Sequence, residues 1–92
     1  MPRIRTHPGE ILREEFMIPH GLSARRLAEE IDVAPNRVTE IIRGRRDVSA
    51  DTAIRLSRRF GTSPQFWLNL QDAHNLSEAE AINDYSRVKQ PV

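Results

Sequence analysis

The side chains best suited to chemistry in this chain are its arginines. Thirteen of the 14 basic residues are Arg, only Lys89 is Lys, and 13 acids bring the net charge to +1. That total hides a pattern. Residues 34–60 carry Arg37, Arg43, Arg45, Arg46, Arg55, Arg58 and Arg59 against three acids, a balance of +4. Residues 1–33 balance at −1 and residues 61–92 at −2. Arginine offers a rigid, planar donor fork that matches phosphate oxygens and the O6/N7 edge of guanine. A basic middle with more acidic flanks suits a localised anionic partner. Composition alone favours the plainer reading, a solvated Arg-rich face. The positions of the arginines must therefore decide between the two.

Other chemistries find little support. His7, His20 and His74 are far apart, and His7 paired with Glu10 or Glu14 lacks the further ligands a metal needs. Glu14 and Glu15 are adjacent, so on a helix they point in different directions and make a poor acid–base pair. Gly9, Gly21, Gly44 and Gly61 are scattered and form no phosphate loop. Cysteine is absent, which excludes thiol nucleophiles, disulfides and cysteine-held metal sites. The expectation is no enzyme, no catalytic residue, no cofactor and no metal. No run approaches 18 apolar residues, so no membrane-spanning helix is expected. The charged start Met1-Pro2-Arg3-Ile4-Arg5-Thr6 has no apolar run behind it, so no signal peptide is expected and the cytoplasm is the expected compartment. With 92 residues and 10.6 kDa, the chain should form one domain over 1–92.

The elements that must position the arginines are short helices with legible ends. No convincing alternating strand pattern appears. A first helix is predicted at about 8–17, starting at Pro8 and facing inward through Ile11, Leu12 and Phe16. Pro19 is expected to end that region by biasing Ile18 away from helical backbone. Ser23 can cap a second helix over about 24–31, with Leu27, Ala28 and Ile31 on one face. Asp32 and Val33 make a turn. Pro35 opens a third helix to about 43, with Val38, Ile41 and Ile42 inward and Gly44 as its left-handed stop. Ser49 can cap a fourth helix over about 50–60, with Asp51 favourable in its first turn and Gly61 at its end. Ser63 and Pro64 begin a fifth, about 64–74, presenting Phe66, Trp67, Leu70 and Ala73. Ser77 and Glu80 fit a capping box for a sixth, about 78–85, with Ala81, Ile82 and Tyr85. Residues 86–92 have a weak pattern and are expected to fray. The expected fold is all-α, a compact five- to six-helix bundle.

The second and third helices carry the functional signal. Their link is too short for a relaxed antiparallel pair, so they must cross steeply, as in a helix-turn-helix over about 24–43. With Val38, Ile41 and Ile42 inward, the third helix turns Asn36, Arg37, Thr39, Glu40 and Arg43 outward. The start of such a helix enters the major groove. Asn36 can pair with adenine and Arg37 with guanine. Thr39 can offer its hydroxyl or methyl. Glu40 can accept from cytosine or pair with a nearby arginine. Arg43, Arg45 and Arg46 can grip phosphates. So can the free N–H groups behind Ser23, with Arg25 and Arg26 beside them.

Several motifs give the chain a resemblance. They are His7-Pro8-Gly9-Glu10-Ile11-Leu12-Arg13-Glu14-Glu15-Phe16, Leu27-Ala28, Ile42-Arg43-Gly44-Arg45-Arg46 and, most specific, Phe60-Gly61-Thr62-Ser63-Pro64-Gln65-Phe66-Trp67-Leu68-Asn69-Leu70-Gln71. With them the chain resembles the HigA-type, or virulence-associated protein I-like, antitoxins within the phage-repressor and Cro family, which has a lambda-repressor-like DNA-binding fold. The likeness spans residues 7 to 85 or so. It implies a homodimer on a palindromic double-stranded operator, repression of its own operon, and neutralisation of a HigB-type mRNA-cleaving toxin. Two positions depart from the pattern. Asp32 stands where Gly is common, and Asp tolerates left-handed backbone better than most residues. Ala34 stands where a Ser or Thr cap is common, which forfeits about 0.5–2 kcal/mol, offset in part by Pro35.

Size argues separately for a dimer. One small module supplies about 600–1,000 Å² of interface with DNA, little for tight repression. The C-terminal helices at about 64–85 are the candidate dimer surface, through Leu68, Leu76, Ile82 and Tyr85, while Trp67 and Leu70 read as core. Two alternative functions remain. One is a stand-alone transcriptional regulator or phage-type repressor of the same fold. The other is a protein-interaction module without DNA binding, which would have little reason to keep Arg37, Arg43, Arg45 and Arg46 on one face.

Overall fold

The computed structural model describes residues 3–91, so Met1 and Pro2 of the charged amino-terminal segment, and Val92, lie outside the described residues. Five helices appear among them. They are α1 (Pro8–Ile11), continued by a π-helical stretch over Leu12–Met17, then α2 (Ala24–Ile31), α3 (Pro35–Ile42), α4 (Ala50–Phe60) and α5 (Pro64–Ile82). The fold is an all-α five-helix bundle with a helix-turn-helix.

Local chemistry sets the helix starts. Ser23, Ser49 and Ser63 each hold extended backbone and accept the N–H of the third helical residue: Arg26, Thr52 and Phe66. Pro8, Pro35 and Pro64 occupy first helical positions, where no N–H is needed. His7 caps α1 through its ring, Nδ1 accepting from Gly9 N at 2.9 Å.

The sixth helix does not form as a separate element. α5 runs unbroken for 19 residues, because no Gly or Pro interrupts Gln65 to Ile82. Ser77 does not cap anything. Its Oγ donates to His74 O at 2.9 Å and accepts from Arg5 N at 2.8 Å, tying the amino-terminal segment to α5. Tyr85 falls beyond the end of the helix.

The core gathers Leu12, Leu27, Ala28, Val38, Ile41, Ala53, Leu56 and Trp67, each with at most 1% of its surface exposed. Trp67 is its largest member. Its ring packs 5.0 Å from that of Phe16, and Nε1 donates to Thr62 Oγ1 at 2.8 Å. An aromatic of this size buries roughly 150–250 Å², an upper-bound contribution of about 4–6 kcal/mol. Val38 and Ile41 are buried as the spacing predicts, while Ile42 is half-buried. Met17 and Val48 join the core, and the buried Gln71 accepts Val48 N at 2.7 Å.

Gly9 decides how closely α1 meets α3. A Cβ placed there would lie 1.8 Å from the carbonyl oxygen of Ile41. Only glycine lets the two backbones come this near.

The accessible surface is 6551 Å², against about 5,500 Å² for a compact monomer of this mass. The radius of gyration is 15.4 Å, against about 12 Å for a compact chain of this length. α5 buries only Trp67 and Gln71, and residues 3–6 and 83–91 are exposed, so both ends of the described chain contribute to the excess.

Candidate nucleic-acid interface

The turn between α2 and α3 closes through its backbone. Val33 N donates to Ala28 O at 3.0 Å and Asp32 N to Glu29 O at 3.3 Å, with Asp32 left-handed at φ 59 and ψ 53. This is a Schellman stop in which Asp takes the place usually held by glycine. Ala34 holds extended backbone and makes no side-chain cap, so Pro35 alone sets the start of α3. α3 ends the same way, with Gly44 at φ 72, Gly44 N on Ile41 O at 2.9 Å and Arg45 N on Glu40 O at 2.8 Å. That reversal leaves Arg43, Arg45 and Arg46 exposed directly beyond the helix.

The four candidate base readers lie on the outer side of α3 in different states. Asn36 is exposed, and its amide makes no hydrogen bond among the described residues. Arg37 is drawn toward α4, where Nη1 donates to Asp51 Oδ2 at 2.6 Å. Thr39 Oγ1 donates back to Pro35 O at 3.1 Å, which uses its one donor and leaves the oxygen able only to accept. Glu40 pairs with Arg46 Nη2 at 3.3 Å. Of its two predicted roles, the unbound protein adopts the arginine pair.

The candidate phosphate contacts flank these readers. Ser23 Oγ is engaged as a cap by Arg26 N at 3.1 Å, and the α2 N-terminus stands exposed behind it. Arg25 projects with 84% of its side chain exposed and only a 3.9 Å approach to Glu29. Arg26 is held by Glu30 at 2.8 Å, and the same carboxylate takes Arg59 at 2.5 Å. Arg43 and Arg45 make no ion pair among the described residues, so they remain available to an incoming anion.

Two residues essential to this geometry escaped sequence reasoning in that role. Arg55 donates from Nη1 to Ile31 O and Asp32 O, at 2.9 and 3.0 Å, fastening the helix-turn-helix turn to α4. Its Nε donates to Asp51 Oδ2 at 2.9 Å. Asp51 thus holds Arg37 and Arg55 together. Hydrogen bonds from Arg37 and then Arg55 keep its carboxyl below the usual carboxylate range. Arg59 and then Arg26 do the same for Glu30. A cleft of about 520 Å³ beside α3 is lined by Arg37, Arg46, Asp47, Ser49, Asp51 and Thr52. Among the described residues no three His, Asp or Glu side chains are grouped to hold a metal, and no helix is long and apolar enough to cross a membrane.

The four candidate dimer residues divide. Leu68 is half-buried against the core, whereas Leu76, Ile82 and Tyr85 are 64%, 71% and 51% exposed.

Comparison with known proteins agrees with this fold. A helix-turn-helix family model matches residues 12–67. Virulence-associated protein I of Dichelobacter nodosus is 55% identical over 80 residues, 87% of this chain and 72% of that one. The Pseudomonas aeruginosa antitoxin HigA, solved with the higBA promoter, is 42% identical with a TM-score of 0.90, covering 100% of this chain and 99% of that one. The antitoxin GraA, solved in complex with its operator, is 44% identical with a TM-score of 0.90, covering 100% and 96%. The chain therefore belongs to the helix-turn-helix family and, within it, to the HigA- and GraA-type antitoxins, a group of regulators and not of enzymes.

Proposed function

We propose that this chain binds a palindromic operator as a homodimer, represses its own operon, and neutralises a HigB-type mRNA-cleaving toxin. The observation that carries the reading is the outer face of α3. Asn36, Arg37 and Thr39 stand on it, and Arg43 and Arg45 follow it without ion-pair partners among the described residues. Base readers at a helix start with phosphate-gripping cations at its end are what major-groove recognition requires. The relatives solved with promoter or operator DNA support duplex DNA as the partner.

The exposed apolar side chains Leu76, Ile82 and Tyr85 support the dimer. Covering these side chains in a two-fold pair removes apolar area from water and brings two copies of α3 to half-sites about 34 Å apart. The toxin role rests on the relatives named as antitoxins.

The test is a reporter fused to the region upstream of this gene, together with induced expression of the neighbouring reading frame. The chain should silence the reporter and relieve the growth arrest caused by the neighbour. A folded, well-expressed chain that leaves the reporter fully active contradicts the repressor reading. A neighbour whose expression leaves growth unaffected contradicts the toxin reading.

A further inference from the structure

We propose that Asp51 is a positioning residue that fixes the Arg37 guanidinium for reading a guanine edge, so that base discrimination by α3 is set in part from α4. The inference rests on the DNA-binding reading above and adds a specificity determinant to it. Arg37 and Asp51 are 14 residues apart and meet because α4, packed on α2 and tied to the turn by Arg55, brings its first turn beside the start of α3. Asp51 Oδ2 accepts from Arg37 at 2.6 Å and from Arg55 at 2.9 Å, and Arg55 is itself anchored on two carbonyls of the turn. The carboxylate is therefore braced against the same turn that places α3.

Arg37 is drawn in against the protein as such a brace requires. Only 31% of its side chain is exposed, against 84% for Arg25, which has only the 3.9 Å pair with Glu29. The bond to Asp51 uses one Nη1 proton of the five N–H donors on a guanidinium. The Nη2 and Nε donors remain for a two-pronged contact with O6 and N7. An arginine held in place loses less side-chain freedom when it binds, and its fork points one way only. The carboxylate also repels any phosphate that would take Arg37 as a mere counter-ion. Both effects favour the cognate base over unspecific contact with the backbone.

The experiment compares wild type, Arg37→Ala, Asp51→Ala, Asp51→Asn and the Arg37→Ala/Asp51→Ala double variant. Binding is measured on the upstream DNA, on single-base variants of it, and on a scrambled duplex. Circular dichroism establishes that each variant is folded. Asp51→Ala should lower discrimination at the base pair that Arg37 reads, on the order of tenfold, while scrambled-DNA affinity holds or rises. Asp51→Asn keeps the shape but loses the charge, so it should fall between wild type and Asp51→Ala. The double variant should discriminate no worse at that base pair than Arg37→Ala alone.

A structural role only for Asp51 would instead lower the melting temperature of Asp51→Ala and leave its base preference intact. That result overturns the inference while the DNA-binding reading stands. Additive losses in the double variant overturn it too. Wild-type protein that fails to distinguish upstream from scrambled DNA overturns the reading itself.

Discussion

Replacing Gly9 by alanine should destabilise the bundle even though alanine is the better helix former. On propensity alone the change gains roughly 0.5–1 kcal/mol inside a helix. The structure reverses the sign. The new Cβ would stand 1.8 Å from Ile41 O and 2.6 Å from Ile41 C, where ordinary contact begins at 3.4 Å. The obstacle is backbone and cannot rotate away, so α1 and α3 must part by more than about 1 Å. Overpacking of this kind costs roughly 1–3 kcal/mol, with a rigid neighbour placing Gly9→Ala toward the top of that range. The net loss is about 1–2 kcal/mol. At roughly 4–8 °C per kcal/mol for a domain of this size, the melting temperature should fall by about 5–15 °C. Thermal unfolding followed at 222 nm, with urea titration as a second measure, reads this directly. Gly61→Ala is a useful contrast, because its site has open space but a φ of +76, so its loss reports backbone strain alone. A Gly9→Ala protein as stable as wild type, or more so, would refute the close approach of α1 to α3.

Other expectations concern pH, the turn and the cationic loop. Burial, followed by the His74 charge, lowers the pKa of His7 below its usual 6.5, against smaller opposing pulls from Asp47 and Glu78. The neutral ring favours the folded state, so this stability is present above pH 6.5 and is lost as pH falls from there through the lowered folded value. His7→Asn keeps a cap acceptor for Gly9 N without the titration, so its melting temperature should change less between pH 7.5 and 5.5; equal slopes in the two proteins would contradict this. Asp32→Gly should raise stability by up to about 1 kcal/mol, because φ 59 strains any residue with a Cβ, and urea midpoints measure it. Arg45→Ala or Arg46→Ala should weaken binding to all duplexes alike and reduce the salt slope by about one, as read from affinity against salt concentration.

What could be read in the sequence depended on how local its physical cause is. The caps at Ser23, Ser49 and Ser63, the prolines at 8, 35 and 64, and the stop at Gly61 were legible because each acts within one helical turn. The left-handed turn at Asp32 was legible for the same reason. The Ser77–Glu80 signal misled because the Ser77 hydroxyl is engaged by Arg5, 72 residues away, and not by a helix start. The π-helical stretch over Leu12–Met17 has no local residue signature. Val48 and Gln71 are buried through a bond across 23 residues, which no periodicity reveals. The outward face of α3 followed from its inward one. The brace of Arg37 by Asp51 and Arg55 did not, because it exists only once α4 is docked beside the turn.

The central claim is that α3 reads a specific duplex in a two-fold pair. Its most direct test is fluorescence anisotropy with the DNA just upstream of this gene, run against a scrambled duplex across a salt series. The account predicts saturable binding of two subunits per site, at least about a thousandfold tighter than to the scramble. Weak binding, equal on both duplexes and differing only in its salt dependence, would contradict it.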